Sequence, residues 1–237
     1  MRYRYTKKEL DTLVKNIVIV YDTREQQNEH ILDYFNKKGI KHKKRKLDEG
    51  DYTFYIESNA ETKPLGILKD TWFDNAIIIE RKANLEELSG NLTEKDGHSE
   101  RKRFENELIR SQKKKLFLVI ENGSWADMIF HNYDTQYDPK AFTNSLNSFQ
   151  QKYDFDIACM GSNRKFATKM LKELRDTGMF KVNNMSDASL EMTAKKYCEN
   201  KNKAAVGCFI FRKFEIYLKE YFKEIRSEEH TSELQSL

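Results

Sequence analysis

Residues Ala76–Leu88, AIIIERKANLEEL, decide the fold. Three consecutive Ile residues read as a buried strand, and that strand ends abruptly in Glu80, Arg81 and Lys82. Side chains alternate along a strand, so Glu80 and Lys82 project to the same face. A carboxylate and an ammonium placed together at the end of an apolar strand are costly unless they neutralise each other or serve a reaction. The following NLEELSGNL changes to a helical pattern, which gives a strand-to-helix junction.

The pattern on either side is of the same kind. IVIVY (Ile17–Tyr21) is a second buried strand, followed by DTREQQ and a helix with Ile31, Leu32 and Phe35 that stops at Gly39. IKHKKRKL suits an outer strand whose charges protect an edge. DYTFYIES alternates as a half-buried strand should, and with GILKD and AIIIE it predicts an antiparallel meander. Downstream, SERKRFENELIRSQKK is helical, and LFLVIE (Leu116–Glu121) is a further buried strand. KAFTNSLNSFQQKY sets Phe142, Leu146, Phe149 and Tyr153 on one helical face. FDIACM is a last strand, and RKFATKMLKELRDTG predicts a helix with Phe166, Met170, Leu171 and Leu174 on one side and Gly178 as its stop. Strands alternating with helices define an α/β fold with a mixed sheet flanked by helices. Lys181–Ile225 is helical, aromatic and Lys-rich, a small appendage that suits a DNA-binding element, a dimerisation element or, the reading preferred, a cover for the sheet.

The 237 residues are 38% hydrophobic, 34% charged and 12% aromatic, enough aromatic content for a packed core and against disorder throughout. No apolar run approaches the roughly 18 residues of a membrane span, and MRYRYTKKELDTLVK lacks the apolar segment of a signal peptide. Three cysteines without CxxC spacing argue against a disulfide framework, so a cytoplasmic protein is expected. The net charge of +4 is unevenly placed: Met1–Lys46 holds 13 Lys/Arg against 6 Asp/Glu. KHKKRK (Lys41–Lys46), with Lys43 and Lys44, forms one basic group, and RKR (Arg101–Arg103) with KKK (Lys113–Lys115) another. Such runs are either solvated faces or phosphate contacts, and the second reading gains weight only beside a catalytic site.

Three short stretches carry candidate chemistry. VYDTRE places Asp22, Arg24 and Glu25 directly after a buried strand, where open sheets commonly hold ligands; the same residues would also suit a helix cap. EGDY places Asp51 after Gly50 at the start of a strand, which an ordinary turn would also explain. Asp51 precedes Glu80-x-Lys82 by 29 residues, a D…(D/E)xK arrangement. Carboxylates hold Mg²⁺, a hard ion, which offsets the charge that phosphodiester cleavage develops. A nearby lysine can orient the attacking water and stabilise the transition state. A structural ion pair is the competing explanation of Glu80 and Lys82. The five His are scattered without zinc spacing, and no GxxxxGK[ST] loop occurs, so neither a zinc site nor a nucleotide cofactor is expected.

Taken in order, VYDTRE, EGDY, IIERKANLEEL and RFENEL resemble the nuclease domain of the XPF-type structure-specific endonucleases, whose pattern is GD…ERKxxxD. The resemblance spans about Asn16–Phe180 and implies the restriction-endonuclease-like fold of the PD-(D/E)xK superfamily. It implies a Mg²⁺-dependent DNA endonuclease, with Mn²⁺ able to substitute, acting on branched or flap DNA. Carried over by position, Asp22, Glu25, Asp51 and Glu80 form the metal site, and Asp51, Glu80, Arg81 and Lys82 the catalytic set. Glu86 stands where the pattern has its final Asp, as an accessory acid. Arg24, Lys43, Lys44, Arg101 and Arg103 are the DNA contacts expected. Domains of this family often pair, so a homodimer belongs among the expectations.

The chain departs from the larger family members: it has no helicase motifs and no tandem Gly-hairpin pair, and resembles the compact stand-alone form of phages and prophages. Expected boundaries are an N-terminal extension at 1–15, a nuclease domain at 16–180 and the appendage at 181–225. RSEEHTSELQSL (226–237) resembles the translation of a sequencing-library adapter and is set aside from fold reasoning. Two other functions fit the same residues: a catalytically silent DNA-binding module, and a restriction or recombination nuclease acting on linear duplex.

Overall fold

The computed structural model describes residues 5–93, 99–161 and 186–234. The helix expected around Phe166–Gly178 lies outside the described residues. The strands are β1 (Ile17–Tyr21), β2 (Lys41–Lys44), β3 (Tyr52–Ile56), β4 (Thr71–Trp72), β5 (Ile77–Asn84), β6 (Lys115–Asn122) and β7 (Asp156–Cys159). They are hydrogen-bonded in the order β2-β1-β3-β5-β6-β7, with β4 alongside β3. β3 runs antiparallel to β1 and β5, in keeping with the predicted meander, and to β4, which follows GILKD instead of lying on it; β2 joins β1 in parallel and β7 joins β6 in parallel. β2 is parallel because α2 (Glu29–Lys38) carries the chain back before the edge strand begins, and Gly39 ends that helix at φ 64°. The mixed α/β architecture is the one the sequence predicts.

The described chain divides into two compact units, one within Met1–Ile79, Lys113–Lys115 and Gly207–Leu237, the other within Glu80–Gln112 and Leu116–Val206. In the first, β3 is buried at all five positions rather than half-buried. One of its faces sets Phe54 and Ile56 beside Ile19 and Ile17 of β1. The long α7 (Asp187–Leu234) supplies the cover here: Ile210, Phe214, Leu218 and Phe222, spaced by four, are all buried. Phe214 lies 4.9 Å from Phe54, and Phe73 stacks on Phe54 at 4.6 Å. The other face holds Val18, Val20, Leu47, Tyr55 and Trp72, with Arg45 over the Trp72 ring at 4.1 Å. Gly207–Phe222 therefore covers this sheet face, and the helix runs to Leu234. Phe214→Ala should cost about 3–5 kcal/mol, the usual range for deleting a buried ring, read as a lower urea midpoint.

The second unit packs α3 (Leu85–Leu92), α4 (Ser99–Ser111) and α6 (Pro139–Tyr153) with the remainder of β5, β6 and β7. Phe104 of α4 stacks on Phe149 of α6 at 6.1 Å, and Phe142, Leu146, Phe149 and Tyr153 are buried. The short α5 (Trp125–Ile129) was not expected; a reciprocal cap between Ser124 and Asp127 starts it. No helix among the described residues is long and apolar enough to cross a membrane.

Candidate active site

In the first unit, the carboxyl end of β1 delivers Asp22 into a fully buried position. Its Oδ1 accepts from the Arg24 backbone N–H and from Arg24 Nε, both at 2.7 Å. Its Oδ2 accepts from the Leu47 N–H at 2.6 Å and from Arg24 Nη2 at 3.2 Å. Burial works to raise the Asp22 pKa, but the hydrogen bonds from Arg24 and Leu47 outweigh it and hold the carboxyl below its ordinary value. Arg24 Nη2 also reaches the Leu47 carbonyl at 3.0 Å, so Asp22 and Arg24 together tie the turn after β1 to the loop before β3. Glu25 is half-buried, with its N–H on the Asp22 carbonyl at 3.3 Å.

Asp51, just before β3, is tied through its backbone to the end of β1 and to β5. Its N–H donates to the Ile79 carbonyl and its carbonyl accepts from the Asp22 N–H, each at 2.8 Å. Gly50 makes this junction feasible. It sits at φ 71°, and a Cβ there would stand 3.1 Å from Ile78 Cβ and 3.3 Å from the Ile79 carbonyl oxygen. A side chain would meet both an unfavourable backbone conformation and the neighbouring strand. The Gly-Asp pair is thus explained by packing as well as by chemistry. Glu49, just before it, is ion-paired with Lys114.

In the second unit, Glu80, Arg81 and Lys82 are all buried, and they alternate as a strand requires. Lys82 Nζ donates to Glu80 Oε1 at 2.8 Å, stands 3.7 Å from Glu87 Oε1 and lies 5.0 Å from the Phe104 ring centre. The second oxygen, Glu80 Oε2, is buried and has no hydrogen-bond partner. Glu107 of α4 is a neighbouring carboxylate whose charge acts on Glu80. Burial pushes the Glu80 pKa up to about 7; Lys82 opposes the rise and Glu107 adds to it. Arg81 is buried in an ion pair with Glu121 of β6, and Asn122 Nδ2 donates to the Ala83 carbonyl at 3.0 Å. Both contacts fix the strand that carries Glu80 and Lys82.

The remaining sequence candidates are dispersed. Glu86 is half-buried on α3 and accepts from the Asp134 N–H at 2.9 Å. Arg101 donates to the Leu92 carbonyl at 2.9 Å and lies over the Phe149 ring, while Arg103 is exposed on the same helix. Lys43 and Lys44 are exposed on the edge strand β2. Sequence reasoning missed Glu107 and Glu121. Glu121 carried a usable signal, because LFLVIE ends an apolar run in a carboxylate just as IIIE does. Glu107 follows Phe104 by three residues, a helical spacing that turns it toward the same side as the buried ring.

Among the described residues, no three His, Cys, Asp or Glu side chains form a cluster that could hold a metal ion. The unpartnered Glu80 Oε2 nevertheless suits a cation ligand, whereas the Asp22 carboxylate is already filled by four donors. The raised Glu80 pKa has a measurable consequence without metal. The folded state holds a proton that the unfolded state releases near the ordinary carboxyl value of 4.5, so this group's contribution to stability falls as pH rises from about 4.5 to about 7. Lys82, Glu87 and Glu107 are the charged groups around it. Glu80→Gln should flatten that part of the metal-free stability–pH curve; an unchanged slope in chemical denaturation would show that Glu80 does not titrate there.

The chain matches the ERCC4 domain family over residues 21–174, a span containing Asp22, Glu25, Asp51, Glu80–Lys82, Glu86 and Glu107. Comparison with curated proteins gives no match. A match over well more than half of the chain, on a mixed sheet flanked by helices, makes this protein a member of the ERCC4 domain family, with its restriction-endonuclease-like nuclease fold.

Proposed function

We propose that the protein is a divalent-metal-dependent endodeoxyribonuclease that hydrolyses phosphodiester bonds in branched or flap-containing DNA. The observation that carries this reading is the buried Glu80–Lys82 pair with its unpartnered carboxylate oxygen, set at the end of an Ile strand. A buried carboxylate oxygen without a protein donor is a position that a cation can fill. Glu80 would hold Mg²⁺ (or Mn²⁺), which would offset the negative charge developing on the phosphoryl group, and Asp51 would serve the reaction as an acidic residue. Lys82 orients the attacking water and stabilises the charge that builds on the phosphoryl oxygens. Glu25 supplements the acidic set. Asp22 orders the turn that presents Glu25, and Arg81 positions the strand through Glu121. Lys43, Lys44 and Arg103, exposed on their elements, contact phosphates, and such contacts weaken with salt.

The absence of a three-acid cluster among the described residues favours one second reading, a DNA-binding module without activity. A panel of labelled duplex, flap and four-way-junction DNA, incubated with Mg²⁺, with Mn²⁺ and with EDTA, separates these functions. The proposal expects cleavage of flap or junction DNA in either metal and none in EDTA. Binding without cleavage in every metal would establish the silent module, and equal cleavage of linear duplex would replace the branched-substrate assignment.

A further inference from the structure

We propose that a cavity in the first unit, at the amino ends of β1 and β2, is a nucleotide pocket for single-stranded DNA, set at the opposite end of β1 from Asp22. The inference takes DNA as the polymer from the function proposed above and adds a second place that grips it.

The walls follow from helical spacing. Along α7, Cys208, Phe211, Arg212 and Glu215 form a stripe beside the buried Ile210, Phe214 and Leu218. Tyr34 and Lys38, one turn apart on α2, line the same cavity. Gly207 lets the two helices meet there, since a Cβ on it would stand 2.7 Å from Tyr34 Cδ1. The helix α1 (Lys7–Lys15) contributes its last residue, Lys15, and β2 its first, Lys41. The enclosed volume is about 470 Å³, within the range of small-ligand sites.

The chemistry of the lining fits a nucleotide. Lys15, Lys38, Lys41 and Arg212 stand against one carboxylate, Glu215. Glu215 is occupied by Lys219 at 2.8 Å and Arg212 at 3.3 Å, and Lys41 pairs with Glu57. Lys15 and Lys38 are exposed and have no ion-pair partner among the described residues. A lysine in the last turn of a helix suits the helix dipole, which would explain either residue alone. The dipole does not explain their convergence with Lys41 and Arg212 on one cavity. The half-buried rings of Tyr34 and Phe211 supply apolar faces on which a base can stack, and cations beside aromatic rings are the combination that holds single strands. A bare phosphate would leave both rings unused. β2 continues the path: Lys43 and Lys44 are exposed on it, and its pairing with β1 runs from Lys41 beside Val18 to Lys44 beside Tyr21, the residue before Asp22. A strand seated in the cavity therefore meets a row of lysines leading toward the turn that carries Asp22 and Glu25.

The test is a fluorescence-anisotropy titration of an oligothymidylate of about 12 nucleotides against the full-length protein in EDTA, repeated over a series of NaCl concentrations. Lys15→Gln combined with Lys38→Gln should flatten the slope of log affinity against log salt by about 1.4, the value for two phosphate contacts on a single strand. Phe211→Leu, which keeps apolar bulk and removes the ring, should weaken binding about fivefold or more at every salt concentration. Lys69→Gln, exposed in the same unit but not part of the cavity lining, should bind as wild type. Should Phe211→Leu fail to fold, the exposed lysine pair, whose exchange leaves the core untouched, decides by itself. A wild-type slope in the lysine pair, or wild-type affinity in folded Phe211→Leu, would overturn the inference. So would a wild-type protein that cleaves flap DNA and does not bind the oligothymidylate. Binding that both variants weaken, in a protein that cleaves no DNA, would keep the pocket and remove the nuclease reading.

Discussion

Asp51→Asn and Lys82→Ala should each reduce Mg²⁺-dependent cleavage of a flap substrate by about 10³-fold or more, the scale expected when a charged group at the reacting phosphoryl centre is lost. The two act differently. Asp51 is held in place by its backbone, through the Asp22 N–H and the Ile79 carbonyl, so Asn keeps the junction and removes only the charge. Lys82→Ala removes the ammonium that opposes the rise in the Glu80 pKa, so Glu80, already pushed up by burial, holds its proton to higher pH. That single change therefore disables two groups, and raising the Mg²⁺ concentration should recover little. Circular dichroism and a melting curve would check that both variants are folded. Cleavage at wild-type rate in both would remove the catalytic assignment.

Arg81→Ala should be as destabilising as the loss of the Phe214 ring, because it takes the guanidinium away from the buried Glu121. Breaking a buried pair from one side typically costs about 3–5 kcal/mol. Replacing both partners with apolar groups of similar volume, Arg81→Met with Glu121→Leu, should recover most of that loss, since neither charge is then stranded. The comparison separates position from chemistry. If Arg81 only sets the strand, the double variant regains cleavage together with its urea midpoint. A double variant that is stable and inactive would place Arg81 in contact with substrate.

The long apolar runs made most of the fold legible. IVIVY, AIIIE and LFLVIE became β1, β5 and β6, and the Phe142–Tyr153 periodicity became α6, because each is long enough for its period to stand out. β4, with two residues, and α5, with five, are too short to show a period and depend on their neighbours. The burial of β3 on both faces was not legible from its alternation, since Tyr55 and Thr53 look polar until Trp72, Leu47 and Val20 enclose them. In the candidate site, Glu80 and Lys82 were readable from strand alternation on one element. The Arg81–Glu121 pair, 40 residues apart, and the four donors on Asp22 were not, because strand pairing and a loop create them. Local spacing carries a local pair; contacts between distant segments have no signature in either segment alone.

The Phe214 cover also sets an order of events during synthesis. The face of β1 and β3 formed by Ile17, Ile19, Phe54 and Ile56 is complete early in the chain, whereas the ring that shields it arrives some 160 residues later. At ordinary rates of translation that interval is roughly ten to thirty seconds. During it the nascent chain carries an uncovered apolar sheet face, a natural target for ribosome-associated chaperones. A ribosome stalled before residue 214 would release a polypeptide whose N-terminal strands are made and whose core cannot close.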